Sequence, residues 1–269
     1  MNTKKERLLS DHDHSNDLVR GMQAVRVWGT LGWHDIRQRY RRSILGPFWF
    51  TLSTAIMVAV LGTLYSTLLH QDAKDYVPFL AIGLVVWQFL STCALEGCSV
   101  FIGAGYLIKQ IRLPLTVHVC REVWRNFVIF LHSLPVVIIA LIVFGRWPNE
   151  YIFVLPFGLI LLLLNAIWVT IVLGIICARY RDILPIVSNF IQIAFFFTPV
   201  MWSADILKQR AWVAEYNPLY HLIEIVRAPV LGLPTQLSSW IWAIGLAVFG
   251  FALAQWMMYR FRNRVAYWL

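Results

Sequence analysis

Six apolar runs, each about long enough to cross a membrane, divide this chain: roughly Phe48–Leu69, Val77–Phe101, Val123–Phe144, Tyr151–Cys177, Leu184–Trp202 and Trp240–Tyr259. A hydrocarbon core of ~30 Å needs ~20 apolar residues in a helix. Inside it a backbone N–H or C=O has no water to turn to, so each segment must satisfy its own polar groups. The runs therefore predict an all-α polytopic membrane protein with six transmembrane helices. Charge gives the orientation. Of 23 Lys and Arg, 18 lie before the first run, after the second and into the third, after the fourth, and after the sixth. Lys74, Arg146, Lys208, Arg210 and Arg227 alone occupy the other connectors. Basic connectors stay in the cytoplasm, which predicts that both termini are inside.

The balance of residue types agrees. Hydrophobic residues make up 59% and charged ones 14%, against ~25% charged in a soluble domain. We expect residues 1–16 to be a flexible cytoplasmic tail and residues 17–269 a single transmembrane domain. The net charge of +9 sits beside the spans, where it sets topology and meets anionic lipid; no nucleic-acid partner is expected. The polar, basic start has no early apolar core, so the first span itself would direct insertion. Cys93, Cys98, Cys120 and Cys177 fit no zinc spacing and lie in or beside spans, as reduced, packed thiols do. The run Asp11-His12-Asp13-His14 has no further ligands beside it, and no metal site is expected.

Four segments outside the spans have a pattern of their own. Leu18, Met22, Val25, Gly29, Trp33, Ile36 and Tyr40 recur at intervals of three or four, one stripe of an amphipathic helix. Placed directly before a span, it should lie in the cytoplasmic interface. Its Arg37, Arg39, Arg41 and Arg42 are candidate contacts for an anionic lipid headgroup. The connectors Ile102–Cys120, with two helical turns expected over Tyr106–Leu113, and Ala178–Ile183 are the only internal cytoplasmic loops, so a cytoplasmic partner must act chiefly through them. The segment Ser203–Ser239 is long, apolar and proline-flanked, which predicts a re-entrant periplasmic hairpin broken at Tyr216-Asn217-Pro218.

The chain carries no chemistry that would make it an enzyme. It has no G-x-x-x-x-G-K-[ST] phosphate loop, no G-x-S-x-G and no H-E-x-x-H, and no catalytic residues are expected. Glu96, Arg121, Glu122, Arg125 and His132 are the main ionisable groups in the spans. Glu122 and Arg125 stand at i,i+3 and should pair structurally. Aromatics reach 15%; many form interfacial belts, but some lie in mid-span. Aromatic faces with small polar groups suit sugars. If the cargo is a glycan, Phe50, Tyr65, Phe195 and Phe197, on the first and fifth spans, are the candidates for its path.

Asp35-Ile36-Arg37-Gln38-Arg39-Tyr40, then Ser43-Ile44-Leu45-Gly46-Pro47-Phe48-Trp49, resembles the D-[LI]-[KR]-x-R-Y…LG-x-x-W start of polysaccharide-export ABC transporter permeases, including the O-antigen exporters. Leu107–Pro114 and Arg179–Ile183 look like that family's two coupling segments. Phe196–Val200 and Tyr216–Tyr220 look like its fifth span and the external segment that follows. The resemblance implies a homodimer bound to two copies of a separate ATP-binding-cassette ATPase, which would hold the ATP and Mg; this chain would carry no cofactor. It implies ATPase contact at Tyr106, Lys109, Arg112, Arg179, Tyr180, Arg181 and Asp182, and a periplasmic gate at Tyr216, Asn217, Pro218 and Tyr220. The cargo would be a polysaccharide, O antigen first, linked to undecaprenyl through a diphosphate and crossing the bacterial inner membrane; that diphosphate is the headgroup Arg37, Arg39, Arg41 and Arg42 would meet. Capsule, teichoic acid or another glycolipid are alternatives within the family. A membrane-embedded polyprenyl-lipid transferase would need clustered carboxylates or histidines at a membrane surface, and a proton-coupled carrier would need mid-span acids.

Overall fold

The computed structural model describes residues 17–41, 46, 48–68, 70–111, 113–204 and 212–269, and among them every regular element is helical. The tail 1–16 and residues Arg42 and Arg112 lie outside the described residues. The helices are α1 (Asp17–Gln23), α2 (Val25–Tyr40), α3 (Phe48–Leu68), α4 (Ala73–Gly97), α5 (Val100–Gly103), α6 (Gly105–Gln110), α7 (Leu115–Val143), α8 (Leu155–Arg179, after a 3-10 turn at Glu150–Val154), α9 (Ile183–Phe197), α10 (Trp212–Glu215), α11 (Pro218–Val230) and α12 (Leu237–Trp268).

Five of these are long and apolar enough to cross a membrane: α3, α4, α7, α8 with its leading turn, and α12. The fifth apolar run, expected as a span over 184–202, forms only the 15-residue helix α9, about 22 Å of helix at 1.5 Å per residue. It ends where Thr198 turns extended before Pro199, whose ring cannot continue the ladder. Elsewhere the helices outrun their apolar cores. α7 starts at Leu115 rather than near 123, and α12 runs on to Trp268 with Arg260, Arg262 and Arg264 in its last turns.

α4 lies at the centre, packed along α3, α7 and α8, and α12 lies along α8. Tight crossings rest on glycine. A Cβ on Gly250 would stand 2.1 Å from the Trp168 ring, and one on Gly158 would stand 2.4 Å from the carbonyl oxygen of Ile225. Small residues at such points let helices approach where lipid supplies no hydrophobic drive. α3 and α9 are the least covered. Only 17% of the apolar window of α3 is buried, against 61% for α4, and Ala194 is the one buried residue of α9.

The N-terminal stripe is rearranged. Leu18 and Ile36 are buried, but Val25 and Trp33 face away from the bundle, 55% and 52% exposed. The helix breaks at Ala24, which shifts its phase, and the face turned to α7 carries glycines. A Cβ on Gly21 would meet Thr116 at 2.4 Å and one on Gly32 would meet Trp124 at 2.9 Å. Close backbone approach, rather than apolar bulk, selects the packed face.

Between α9 and α12 the expected break is present. Asn217 caps α11, its side chain accepting from the N–H groups of Leu219 and Tyr220 at 3.0 and 3.4 Å, and Pro218 occupies the first helical turn as its missing N–H permits. The apolar residues that follow, expected to dip into lipid or a dimer seam, are covered by the chain itself. Leu222, Ile223 and Val226 are buried, and α11 packs on α4, α8 and α12.

Candidate functional site

The connectors gather at two ends of the bundle. At one end the two short loops meet the end of α12. The Arg179 guanidinium lies 5.1 Å from the Tyr180 ring and 5.2 Å from the Trp268 ring, and a Cβ on Gly105 would touch Leu269 at 3.6 Å. Tyr106, Lys109, Arg179, Tyr180, Arg181 and Asp182 are all exposed there. Helix α6 supplies a single six-residue helical piece, shorter than the two turns expected. These six residues form one accessible rim, which two sequence-distant loops build together.

Behind the rim sits a cluster of which the sequence indicated one pair, Glu122 with Arg125. Arg121 forks onto both carboxylate oxygens of Asp35. Arg125 donates to Glu122, to Glu96 Oε2 at 2.6 Å and to Asp35 Oδ2 at 3.5 Å. Arg39 donates to Glu96 Oε1 at 2.9 Å. Three carboxylates and three guanidiniums thus join α2 to α4 and α7. The Arg125–Glu122 pairing at i,i+3 holds, but as one edge of a six-member network. The Arg39–Glu96 edge is its weak one. Its side chains are 42% and 25% exposed, and an ion pair so placed is worth about 0–1 kcal/mol. His118 lines a cavity of about 430 Å³ beside this cluster. Both its ring nitrogens are buried and lack a hydrogen-bond partner among the described residues.

Of the other headgroup candidates, Arg37 and Arg41 are exposed. The hydroxyl of Tyr40 is buried without a hydrogen-bond partner among the described residues, and burial raises its pKa, so the phenol stays neutral.

Asp17 escaped the sequence reading altogether. Its carboxylate is 1% exposed. It accepts from Leu115 N at 3.3 Å, Thr116 N at 3.2 Å and Thr116 Oγ1 at 2.8 Å, and it pairs with Arg262 Nε at 3.1 Å. An anionic acceptor at a helix start meets both free N–H groups and the positive end of the dipole. Its partners lie some hundred residues and more away, so no local pattern could reveal the cap.

Along the side of the bundle, α3, α4 and α9 enclose a groove of about 570 Å³. Trp87, Phe195 and Phe196 supply rings, and Ser53, Thr54, Gln88, Ser91 and Gln192 supply small polar groups; among the described residues no charged one lines it. Trp87 and Phe195 stand 5.5 Å apart between centroids. Of the four path candidates, Phe195 lies in this groove. Phe50 lines a smaller neighbouring cavity of about 260 Å³. Tyr65 packs half-buried on the core, and Phe197 is exposed. Gln88 lines both cavities and accepts from Thr54 Oγ1 at 3.2 Å. The amide polarity of Gln88 and Gln192 within apolar runs was the available signal for the groove.

At the opposite end, side chains take over the backbone groups that α9 leaves open. Arg227 donates to the Pro199 carbonyl at 2.7 Å, Tyr76 OH to that of Met201 at 2.6 Å, and Asn217 Nδ2 to that of Phe197 at 3.4 Å as well as to Thr198 Oγ1 at 3.0 Å. Arg227 also forks onto Glu224 Oε2 and covers the Phe79 ring at 4.0 Å. His221 stacks on Trp242 and bonds Ser239 Oγ and Glu215 O; burial lowers its pKa, which leaves the ring neutral. Of the gate candidates, Tyr216 is exposed, Asn217 and Pro218 shape the start of α11, and Tyr220 lies beside Arg227 at 5.9 Å.

The described residues hold no group of three or more His, Cys, Asp or Glu that could bind a metal. The ABC-2 type transporter family profile matches residues 26–231. Two relatives are O-antigen export system permease proteins. The one from Myxococcus xanthus is 27% identical over 215 residues, covering 78% of this chain and 83% of its own length. One from Klebsiella pneumoniae is 25% identical over 233 residues, covering 84% and 90%.

Proposed function

Because the chain belongs to the ABC-2 type transporter family, we propose that it is the permease subunit of an ATP-driven exporter that carries a lipid-linked polysaccharide, O antigen first, from cytoplasm to periplasm. The observation that carries the cargo class is the groove between α3, α4 and α9. It presents rings and neutral hydrogen-bonding groups with no charge. A passage for many successive sugars must hold each one weakly. Ring stacking does so, whereas fixed charges in a low-dielectric site bind strongly. The naming of both relatives as O-antigen export permeases points the same way.

In this reading α9 is the fifth of six spans. Its helix is short, but the non-helical stretch that follows is buried in protein, with Thr198 and Val200 fully covered. Irregular backbone is tolerated at membrane depth only in that setting. α1 and α2 lie in the cytoplasmic interface, and α11 dips back from the periplasmic side. Two copies meet along the thinly covered α3 and α9, so that each groove opens onto a shared path. Two copies of an ATPase, which bind ATP and Mg, press on the rim of Tyr106, Lys109, Arg179, Tyr180, Arg181 and Asp182. Arg37, Arg39 and Arg41 meet the lipid headgroup.

The test is co-purification with its ATPase partner and reconstitution in lipid. Polyprenyl-linked glycan should raise the ATPase rate severalfold, and free polyprenol should not. Single cysteines at Lys74 and Glu150 should label from the periplasm, and those at Lys109 and Asp182 should not. Reversed labelling would overturn the orientation, and ATPase activity indifferent to glycolipid would overturn the cargo class.

A further inference from the structure

We propose that Arg39 is a headgroup-responsive arm. In this structure Glu96 holds it, and it transfers to a lipid-borne diphosphate, opening the cavity behind the start of α3. This rests on the lipid-linked cargo proposed above and goes beyond it by naming the exchange.

Three observations carry the inference. First, Arg39 is the network's most accessible cation, with 42% of its side chain exposed. Arg121 and Arg125 are held deeper, at 26% and 17%. A diphosphate arriving from the interface reaches Arg39 first, and a guanidinium fork matches phosphate oxygens in pairs.

Second, its departure leaves no buried charge stranded. Glu96 accepts from Arg39 on Oε1 and from Arg125 on Oε2. When Arg39 swings away, Glu96 keeps Arg125, and Arg125 keeps Glu122 and Asp35. Breaking a buried pair is costly because it leaves one partner unsatisfied; here the redundancy of the network removes that cost. Asp35 has only a weaker substitute: without the Arg121 fork it would keep Arg125 alone, at 3.5 Å. One edge of the cluster is therefore exchangeable, and the rest is structural.

Third, Arg39 is part of a wall. Its guanidinium lies 5.9 Å from the Phe50 ring, and both residues line the cavity of about 260 Å³ between α3, α4 and α7. Gln88 lines this cavity and the long groove alike. Moving Arg39 uncovers Phe50 in the first turn of α3, the least covered of the long helices, next to the groove the glycan would use. Headgroup capture and the opening of the path thus meet at one side chain.

The experiment is equilibrium binding by native mass spectrometry. Wild-type protein and the Arg39→Gln, Glu96→Gln and double variants, each with the partner ATPase, are titrated with undecaprenyl diphosphate. Undecaprenol is the neutral control and inorganic diphosphate the soluble competitor. Glu96→Gln removes the competitor for Arg39 and should tighten diphosphate binding at least threefold. Arg39→Gln should weaken it at least threefold, and the double variant should bind no better than Arg39→Gln. Undecaprenol should bind all four alike, and inorganic diphosphate should not displace the lipid at equal concentration. A Glu96→Gln gain that persists without Arg39, or no gain at all, overturns the exchange and leaves the cargo class standing. Wild-type protein that binds both lipids equally overturns the cargo class itself. Displacement by inorganic diphosphate overturns the assignment to a lipid-borne group. Should Glu96→Gln not fold, Glu96→Asp, which keeps the charge on a shorter arm, should give the same order with a smaller gain.

Discussion

Arg227 reaches from α11 to the Pro199 carbonyl at 2.7 Å, closing the backbone where α9 stops short. The side chain is 2% exposed and is also paired with Glu224. Removing it strands a buried carbonyl and a carboxylate together. Loss of one partner from a buried pair costs about 3–5 kcal/mol. Arg227→Met should therefore lower the thermal midpoint in detergent by many degrees and reduce the folded yield. Arg227→Lys, which keeps the charge but loses the fork, should fall between. A midpoint unchanged in Arg227→Met would remove Arg227 from the support of α9.

Asp17 joins α1 to the start of α7 and to Arg262 near the end of α12. Because α7 follows directly on the first rim loop, this carboxylate is a joint through which motion of the rim can reach the N-terminal helices. Asp17→Ala leaves two N–H groups and a hydroxyl without their acceptor, at about 1–3 kcal/mol for each buried group. Proteolysis within α1 and α2 should accelerate by at least tenfold, and export should fall more than ATPase activity. Asp17→Asn, which keeps an acceptor, should recover part of both. Unchanged proteolysis in Asp17→Ala would show that the joint does not hold α1.

Reversing Arg181 and Asp182 together, as Arg181→Glu with Asp182→Lys, keeps net charge but inverts the exposed loop. Export should drop at least tenfold with membrane insertion intact, since both residues are solvent-facing and support no packing. Lys109→Glu with Tyr106→Ala tests the other loop in the same way. Normal surface glycan in both double variants would take the partner contact away from this rim.

In the groove, Phe195→Ala and Trp87→Ala should each shorten or reduce exported glycan while ATPase activity persists. Gln192→Leu should act on some glycans more than others, because an amide reads hydroxyl arrangement where a ring does not. Phe197→Ala, exposed and outside the groove lining, is the informative comparison. A larger effect there than at Phe195 would move the path to the exposed edge of α9, where a second copy would pack.

Hydropathy and charge are summed over near neighbours, and what depends on them was legible in the chain. The helical class, the positions of the long apolar helices, the exposed basic loops and the break at Asn217-Pro218 all follow from composition and spacing over a few turns. Asn217 caps because its own side chain reaches the next two N–H groups, a contact local enough to read. What depends on contacts across the chain was decided only by folding. Val25 and Trp33 carry the right period yet turn outward, because Gly21 and Gly32 allow a closer approach to α7 than bulkier residues could. Arg121, one of the main ionisable groups of the spans but with no partner legible in the sequence, is the fork that holds Asp35. Asp17, just past the expected tail, carries no local signal and is a buried cap 98 and 99 residues from the N–H groups it satisfies. Periodicity states which residues share a face; only the packing of whole helices states which face meets which, and therefore where a buried charge finds its partner.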